Sequence, residues 1–191
     1  GGGGAGRKGC GGALLRAASG LSAPAGGKGG AMLCVKLICV GKMKERFYLD
    51  AFAEYQKRLG AYCRFTLCEI SEQRLPEKPS ESQIGAALER EAGEILRAIP
   101  EGAYTVALCV EGRQRPSEHM AALIEAREGS GKPRLCFVIG GSFGLSARVK
   151  QAADERLSMS EMTFPHHLAR VMLLEQLYRA QKISHGEPYH K

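Results

Sequence analysis

From Leu33 onward the chain alternates short apolar runs with helically spaced segments, and this order constrains the fold more than any other feature. LCVKLICV (33–40) reads as a strand that ends at Gly41. ERFYLDAFAEYQKRLG (45–60) reads as a helix, with Phe47, Leu49, Phe52, Tyr55 and Leu59 in a broad apolar stripe. In CRFTLCEI (63–70) the alternation of a strand puts Phe65, Leu67 and Glu69 on one face and Thr66, Cys68 and Ile70 on the other. SEQRLPEKPS (71–80), with two prolines, is a loop. A second helix is predicted over 81–98, anchored by Ile84, Leu88, Ile95 and Leu96 and stopping before Pro100. TVALCV (105–110) suits a buried parallel strand. Ser117 is an N-cap candidate for a third helix through Glu128, and GSGKP (129–133) then breaks the chain. RLCFVIGG (134–141) is the fourth strand, Ser146 caps a short helix to Asp154, residues 157–159 form a brief strand, and a last helix covers 168–182. The expected fold class is therefore α/β, a parallel sheet with helices on both faces in one domain.

Residues 1–31 have a different character. They hold thirteen glycines and almost no large apolar side chains, so they cannot bury enough surface to offset the entropy of ordering. They are expected to be a disordered leader or an added extension, with Met32 as the natural start and 32–191 as the folded domain. They also carry Arg7, Lys8, Arg16 and Lys28 without any acid, which is +4 of the net +7. The remaining +3 is too weak to argue for nucleic acid by bulk charge alone.

The seven cysteines form no CxxC pair, and six lie in strand-like runs, where a free thiol packs as a small hydrophobe. Their odd number and the lack of a signal-peptide pattern point to a reducing, cytoplasmic setting. No His/Cys spacing suggests zinc, so no metal is expected.

Chemistry concentrates in the last third. Gly140, Gly141 and Gly144 follow an apolar strand, and the crevice beyond the strand C-termini is the usual ligand site of open α/β sheets. The spacing is GGxxG rather than GxGxxG, so a Rossmann dinucleotide site is not supported. A tight βα turn and an open ligand loop both fit these glycines. Glu111-Gly112-Arg113 reads as a second glycine turn beside it. SMSEMTFPHH (158–167) mixes small polar residues with Met162, Phe164 and Pro165, which suits packing against an adenine. His166 and His167 are candidates to cap the last helix or to meet phosphate. On that helix Glu175 and Arg179 are four apart and share a face, among Leu173, Leu174, Leu177 and Tyr178. That makes Arg179 a partly sheltered cation suited to a developing anion. The tail His185-Gly186-Glu187-Pro188-Tyr189-His190-Lys191 offers a ring for base stacking and cations for phosphate.

These pieces occur together and in order. Strand 134–139 with GGSFGL (140–145), MTFPH (162–166), EQLYRA (175–180) and GEPYHK (186–191) resemble the RlmH (YbeA) methyltransferases of the SPOUT superfamily. The resemblance covers Met32 to Lys191 and leaves residues 1–31 without a counterpart. It implies a SPOUT-type α/β knot, with the C-terminal segment threaded into a trefoil. It implies an S-adenosylmethionine-dependent enzyme, a homodimer, methylating N3 of a pseudouridine in the helix 69 loop of 23S rRNA on assembled 70S ribosomes. Carried over by position, the cofactor-binding residues are Leu108, Cys109, Gly140, Gly141, Ser160, Glu161, Met162, Thr163, Phe164 and Pro165. The catalytic and rRNA-contacting residues are Arg179, Tyr189 and His190, with Glu175 in support. Cys109 departs from the residue types expected at its position. The competing expectation is a non-catalytic ribosome-binding factor that keeps the fold, and a third is a SPOUT enzyme acting on tRNA.

Overall fold

The structure is a computed structural model and describes residues 32–189. Five strands and five helices alternate along it: β1 (Cys34–Val40), α1 (Arg46–Leu59), β2 (Arg64–Ile70), α2 (Glu81–Ala98), β3 (Tyr104–Gln114), α3 (Ser117–Glu128), β4 (Arg134–Ile139), α4 (Ala147–Ala152), β5 (Glu155–Ser158) and α5 (His166–Ser184). The strands form one sheet in the order β2-β1-β4-β3-β5, and every pairing is parallel. The expected parallel sheet flanked by helices is therefore present.

The alternation of the strands divides the core in two. On one face Leu37 and Cys39 of β1 and Leu135 and Phe137 of β4 pack against Phe52 of α1, Ile124 of α3 and Leu173, Leu174 and Leu177 of α5. On the other, Ile38, Val40, Cys136 and Val138 meet Ala92 and Ile95 of α2 and Val149 of α4. Each fully buried Leu, Ile or Phe contributes about 1.5–3 kcal/mol, so central β1 and β4 anchor the fold. Cys39, Cys63 and Cys136 are buried free thiols, and burial pushes each of them up to about 12. They act as small apolar groups, as expected.

Several local expectations are corrected. Only Phe52 and Leu59 of the α1 stripe are buried; Tyr55 is half-buried and Phe47 and Leu49 stay 65% and 42% exposed. In α2 the buried positions are Ala87, Glu91, Ala92 and Ile95, and Ile84, Leu88 and Leu96 are half-buried. Small side chains let that helix approach the sheet closely. Ser117 does not cap α3; Pro116 stands at the cap, and the Ser117 hydroxyl donates to Gln176 Oε1 of α5 at 2.7 Å. Ser146 does cap α4, accepting from Val149 N at 3.3 Å. Glu111-Gly112-Arg113 is not a turn. After a register shift β3 pairs with β5 again at Arg113 and Gln114. Gly112 is required there by close approach, since a Cβ would lie 2.5 Å from the Leu157 carbonyl carbon.

The least expected feature is Arg170. It is fully buried, and its Nη2 donates to the carbonyls of Val40 at 2.7 Å and Gly41 at 3.1 Å, while Nη1 donates to Glu69 Oε1 at 3.3 Å. One side chain of α5 thus satisfies the last carbonyl of β1 and that of Gly41 after it, where the chain turns at a φ of 83°. Removing it strands the Val40 and Gly41 carbonyls, while Glu69 keeps only the Met43 N–H. Arg170→Met should therefore lower unfolding free energy by about 2–4 kcal/mol in urea denaturation. A loss below about 1 kcal/mol would contradict this role.

Candidate active site

The C-terminal ends of β3, β4 and β5 lie side by side, and the segments leaving them enclose a cleft of about 400 Å³. That volume lies within the range of small-molecule sites. Leu108 and Cys109 line it from β3, Gly140 and Gly141 from the loop after β4, and Ser160, Met162, Thr163 and Phe164 from the β5–α5 segment. Eight of the ten expected cofactor residues are thus brought together from three separate stretches of sequence. Glu161 and Pro165 belong to the same segment but do not line the cleft; Pro165 stands at the N-cap of α5.

Other groups line the cleft as well. Ile139, Leu157 and Met159 extend the apolar wall; Glu111 and His166, both singled out in the sequence, bring ionisable groups, and Lys150, which sequence reasoning missed, brings another. Val110, Phe143 and Met162 are 53%, 48% and 69% exposed along it. The apolar run of β4 signalled Ile139, whereas β5, ERLS, gave no comparable signal for Leu157. Nothing in spacing alone signalled Lys150, which sits on α4 and pairs with Glu111 across the fold.

The glycine loop is held tightly. Gly144 N donates to Gly141 O at 3.0 Å, and Gly144 takes a φ of 78°. A Cβ at Gly140 would lie 2.1 Å from Gly144 O, so only glycine lets the loop close. Glu72, from the β2–α2 loop, accepts from Ser142 N at 3.2 Å and Ser142 Oγ at 2.9 Å. Glu91, buried in α2, steadies the neighbouring residue by accepting from Gln73 N at 2.9 Å. On the facing wall Ser158 Oγ donates to Ser160 O at 2.9 Å and Met162 N to Ser160 Oγ at 3.1 Å.

Neither His166 nor His167 caps α5. His167 Nδ1 lies 3.0 Å from Glu45 Oε2, and the two imidazole rings are 4.2 Å apart, edge to face. Desolvation, then the neighbouring His167 and Arg170 charges, hold His166 below the ordinary imidazole range. The unfolded chain takes up a proton here near pH 6.5, and the folded chain only at lower pH. Stability therefore falls as pH drops through the window just below about pH 6.5. His166→Asn should flatten the slope of unfolding free energy against pH in that window, and an unchanged slope would contradict the assignment.

The expected catalytic residues form a second cluster. Glu175 Oε1 accepts from Arg179 Nη2 at 2.5 Å and from the Tyr189 hydroxyl at 3.2 Å. The Arg179 guanidinium lies 4.9 Å from the Tyr189 ring centroid, and Tyr178 meets that ring edge-on at 5.0 Å. Desolvation, then a hydrogen bond with Tyr55 and the Glu175 charge, push Tyr189 up to about 12. Glu187 pins the tail, accepting from the Tyr62 hydroxyl at 3.0 Å and from Lys182 Nζ. None of Glu175, Arg179 and Tyr189 lines the cleft of its own chain. Glu175 lines a second hollow of about 530 Å³, with Tyr55, Met120 and Met172, which shares Leu157, Ser158 and Met159 with the cleft. His190 lies outside the described residues, as does the stretch 1–31. Among the described residues no group of three or more His, Cys, Asp or Glu is arranged to hold a metal, and no helix is long and apolar enough to cross a membrane.

An open parallel sheet with a ligand-sized cleft at its strand ends and a glycine loop on one wall belongs to a wide class of α/β proteins. Sequence comparison narrows it. A family model described as "Predicted SPOUT methyltransferase" matches residues 33–190. Proteins named Ribosomal RNA large subunit methyltransferase H match over 157 residues, 82% of this chain and 99% of each relative. Those from Bacillus pumilus (strain SAFR-032) and Streptococcus thermophilus (strain ATCC BAA-491 / LMD-9) are 45% identical, and that from Listeria monocytogenes serotype 4a (strain HCC23) is 41% identical. A solved structure of a probable methylase family protein from Haemophilus influenzae Rd KW20 overlays with a TM-score of 0.47 at 14% identity, covering 82% of this chain and 70% of that one. The chain belongs to the SPOUT methyltransferase family, and within it to the group of ribosomal RNA large subunit methyltransferase H.

Proposed function

We propose that the protein methylates large-subunit ribosomal RNA, with S-adenosylmethionine bound in the cleft at the ends of β3, β4 and β5. The observation that carries this reading is the convergence of Leu108, Cys109, Gly140, Gly141 and the 160–164 loop in one cleft. The cleft fits the donor. Leu108, Ile139, Leu157 and Phe164 offer apolar surface for the faces of an adenine, and the glycine loop brings backbone close without side chains in the way. When bound, S-adenosylmethionine supplies an electrophilic methyl group.

The family resemblance takes the target to N3 of a pseudouridine in the helix 69 loop of 23S rRNA, on assembled 70S ribosomes in the cytoplasm. N3 carries a proton at neutral pH, which must leave as the new N–C bond forms. Arg179, kept cationic by Glu175, suits the negative charge that develops on the base. Tyr189 offers a ring for stacking and a hydroxyl that stays protonated. His190 is the group for accepting the proton or orienting the base.

The separation of Arg179, Glu175 and Tyr189 from their own cleft favours a homodimer, in which one subunit's tail completes its partner's site. Met172 of α5 lines the second apolar hollow with Tyr55 and Met120, a surface a second subunit would cover. The resemblance also carries a trefoil knot, and the insertion of β4 between β1 and β3, with α5 returning against α1 and α3, supports it.

Arg179→Ala should lower methyl transfer to rRNA by about 10²–10³-fold while leaving affinity for S-adenosylhomocysteine within a few-fold, measured by single-turnover kinetics and calorimetry. Equal loss of both would contradict the assigned role. A binding factor without activity would show no thermal stabilisation by S-adenosylhomocysteine.

A further inference from the structure

We infer that the Glu111–Lys150 ion pair is the specificity element for the zwitterionic amino-acid end of the cofactor. This rests on the reading of the cleft as an S-adenosylmethionine site and deepens it.

The cleft is otherwise almost uncharged. Of its lining residues only Cys109, Glu111, Lys150 and His166 can ionise. Burial raises the Cys109 thiol and lowers the His166 imidazole, so both are neutral near pH 7. Glu111 and Lys150 remain, one carboxylate and one ammonium in direct contact. They come from different elements, Glu111 from β3 and Lys150 from α4. Their side chains keep 52% and 24% of their surface in solvent, which puts the pair toward the open side of the cleft. The apolar wall of Ile139, Leu157 and Phe164 leaves this pair as the one strongly polar feature.

A nucleoside joined to an α-amino acid has a matching division. Its purine is flat and largely apolar on its faces, and its far end carries an α-ammonium and an α-carboxylate. Lys150 complements the carboxylate and Glu111 the ammonium. A solvent-washed ion pair gains little from its own closure, so exchanging partners with a zwitterion costs little. Two charge-assisted contacts then replace one, in a cleft that excludes part of the water. Arg156 also acts on Glu111, adding to the Lys150 effect that holds its carboxyl below the usual range. The acid is therefore ionised near neutral pH, ready for the ammonium. A plain structural strap joining β3 to α4 is the competing explanation, and it makes a different prediction.

The test uses the full chain and two ligands, S-adenosylhomocysteine, which has the amino-acid end, and 5′-methylthioadenosine, which lacks it. Calorimetry compares the wild type with Glu111→Gln and Lys150→Met. The expected result is that each variant weakens S-adenosylhomocysteine about tenfold or more and leaves 5′-methylthioadenosine within about twofold. The preference for the amino-acid-bearing ligand thus collapses. Parallel weakening of both ligands would overturn the inference in favour of a strap, and unchanged affinities would overturn it outright. A wild type that binds neither ligand would fail the cofactor reading itself, an outcome separable from the other two.

Discussion

The buried guanidinium of Arg170 ties together the parts on which the rest depends. It comes from the second turn of α5 and ends against the last carbonyl of β1 and that of Gly41, with Glu69 of β2 beside it. A buried cation without compensation is untenable, so α5 can seat in only one way. The segment 159–165 leads directly into that helix, and its position is therefore set from behind by β1. The same anchor lies close to Gly41, whose position is also approached by Glu72, and Glu72 holds the glycine loop through Ser142. Two walls of the cleft are thus braced against the C-terminal end of β1.

The parallel sheet supplies the third wall. Its order puts β4 next to β3 and β3 next to β5, so three strands deliver their C-terminal ends to one place although they are far apart in sequence. The extra pairing of β3 with β5 beyond Gly112 carries Glu111 along the edge of the cleft instead of looping it into solvent. The cationic and aromatic groups expected to handle RNA gather elsewhere, where Glu175 joins Arg179 to Tyr189 and Glu187 fixes the tail. The cleft and the hollow lined by Glu175 adjoin at Leu157, Ser158 and Met159, and in the proposed homodimer a second subunit would bring such a cluster to the cleft.

Much of this was legible in the residues. Apolar strand runs, helical spacing, cap candidates and the Gly/Pro breakers together located all ten elements. The glycines after β4 were legible only as either a tight βα turn or a ligand loop, and the 158–167 segment as one suited to an adenine; both come to line the cleft. Arg170 was not, because a cation on an apolar helix gives no sign of whether it faces solvent or carbonyls; only its partners on β1 and β2 decide that. Gly112 was misread as a turn because its need is close backbone approach rather than positive φ, and sequence does not separate the two. Ser117 resembled a cap by type and position, yet the partner it found is Gln176, 59 residues away. The Glu111–Lys150 pair was hidden for the same reason, since long-range pairing of exposed charges leaves no periodic trace.

The central claim is that the cleft serves methyl transfer to ribosomal RNA. Its most direct test is transfer of labelled methyl from S-adenosylmethionine to 70S ribosomes that lack the modification, with free large subunits and tRNA in parallel. The account predicts label in large-subunit rRNA, and only when assembled ribosomes are supplied. Label confined to tRNA, or no label in any RNA despite measured cofactor binding, would contradict it.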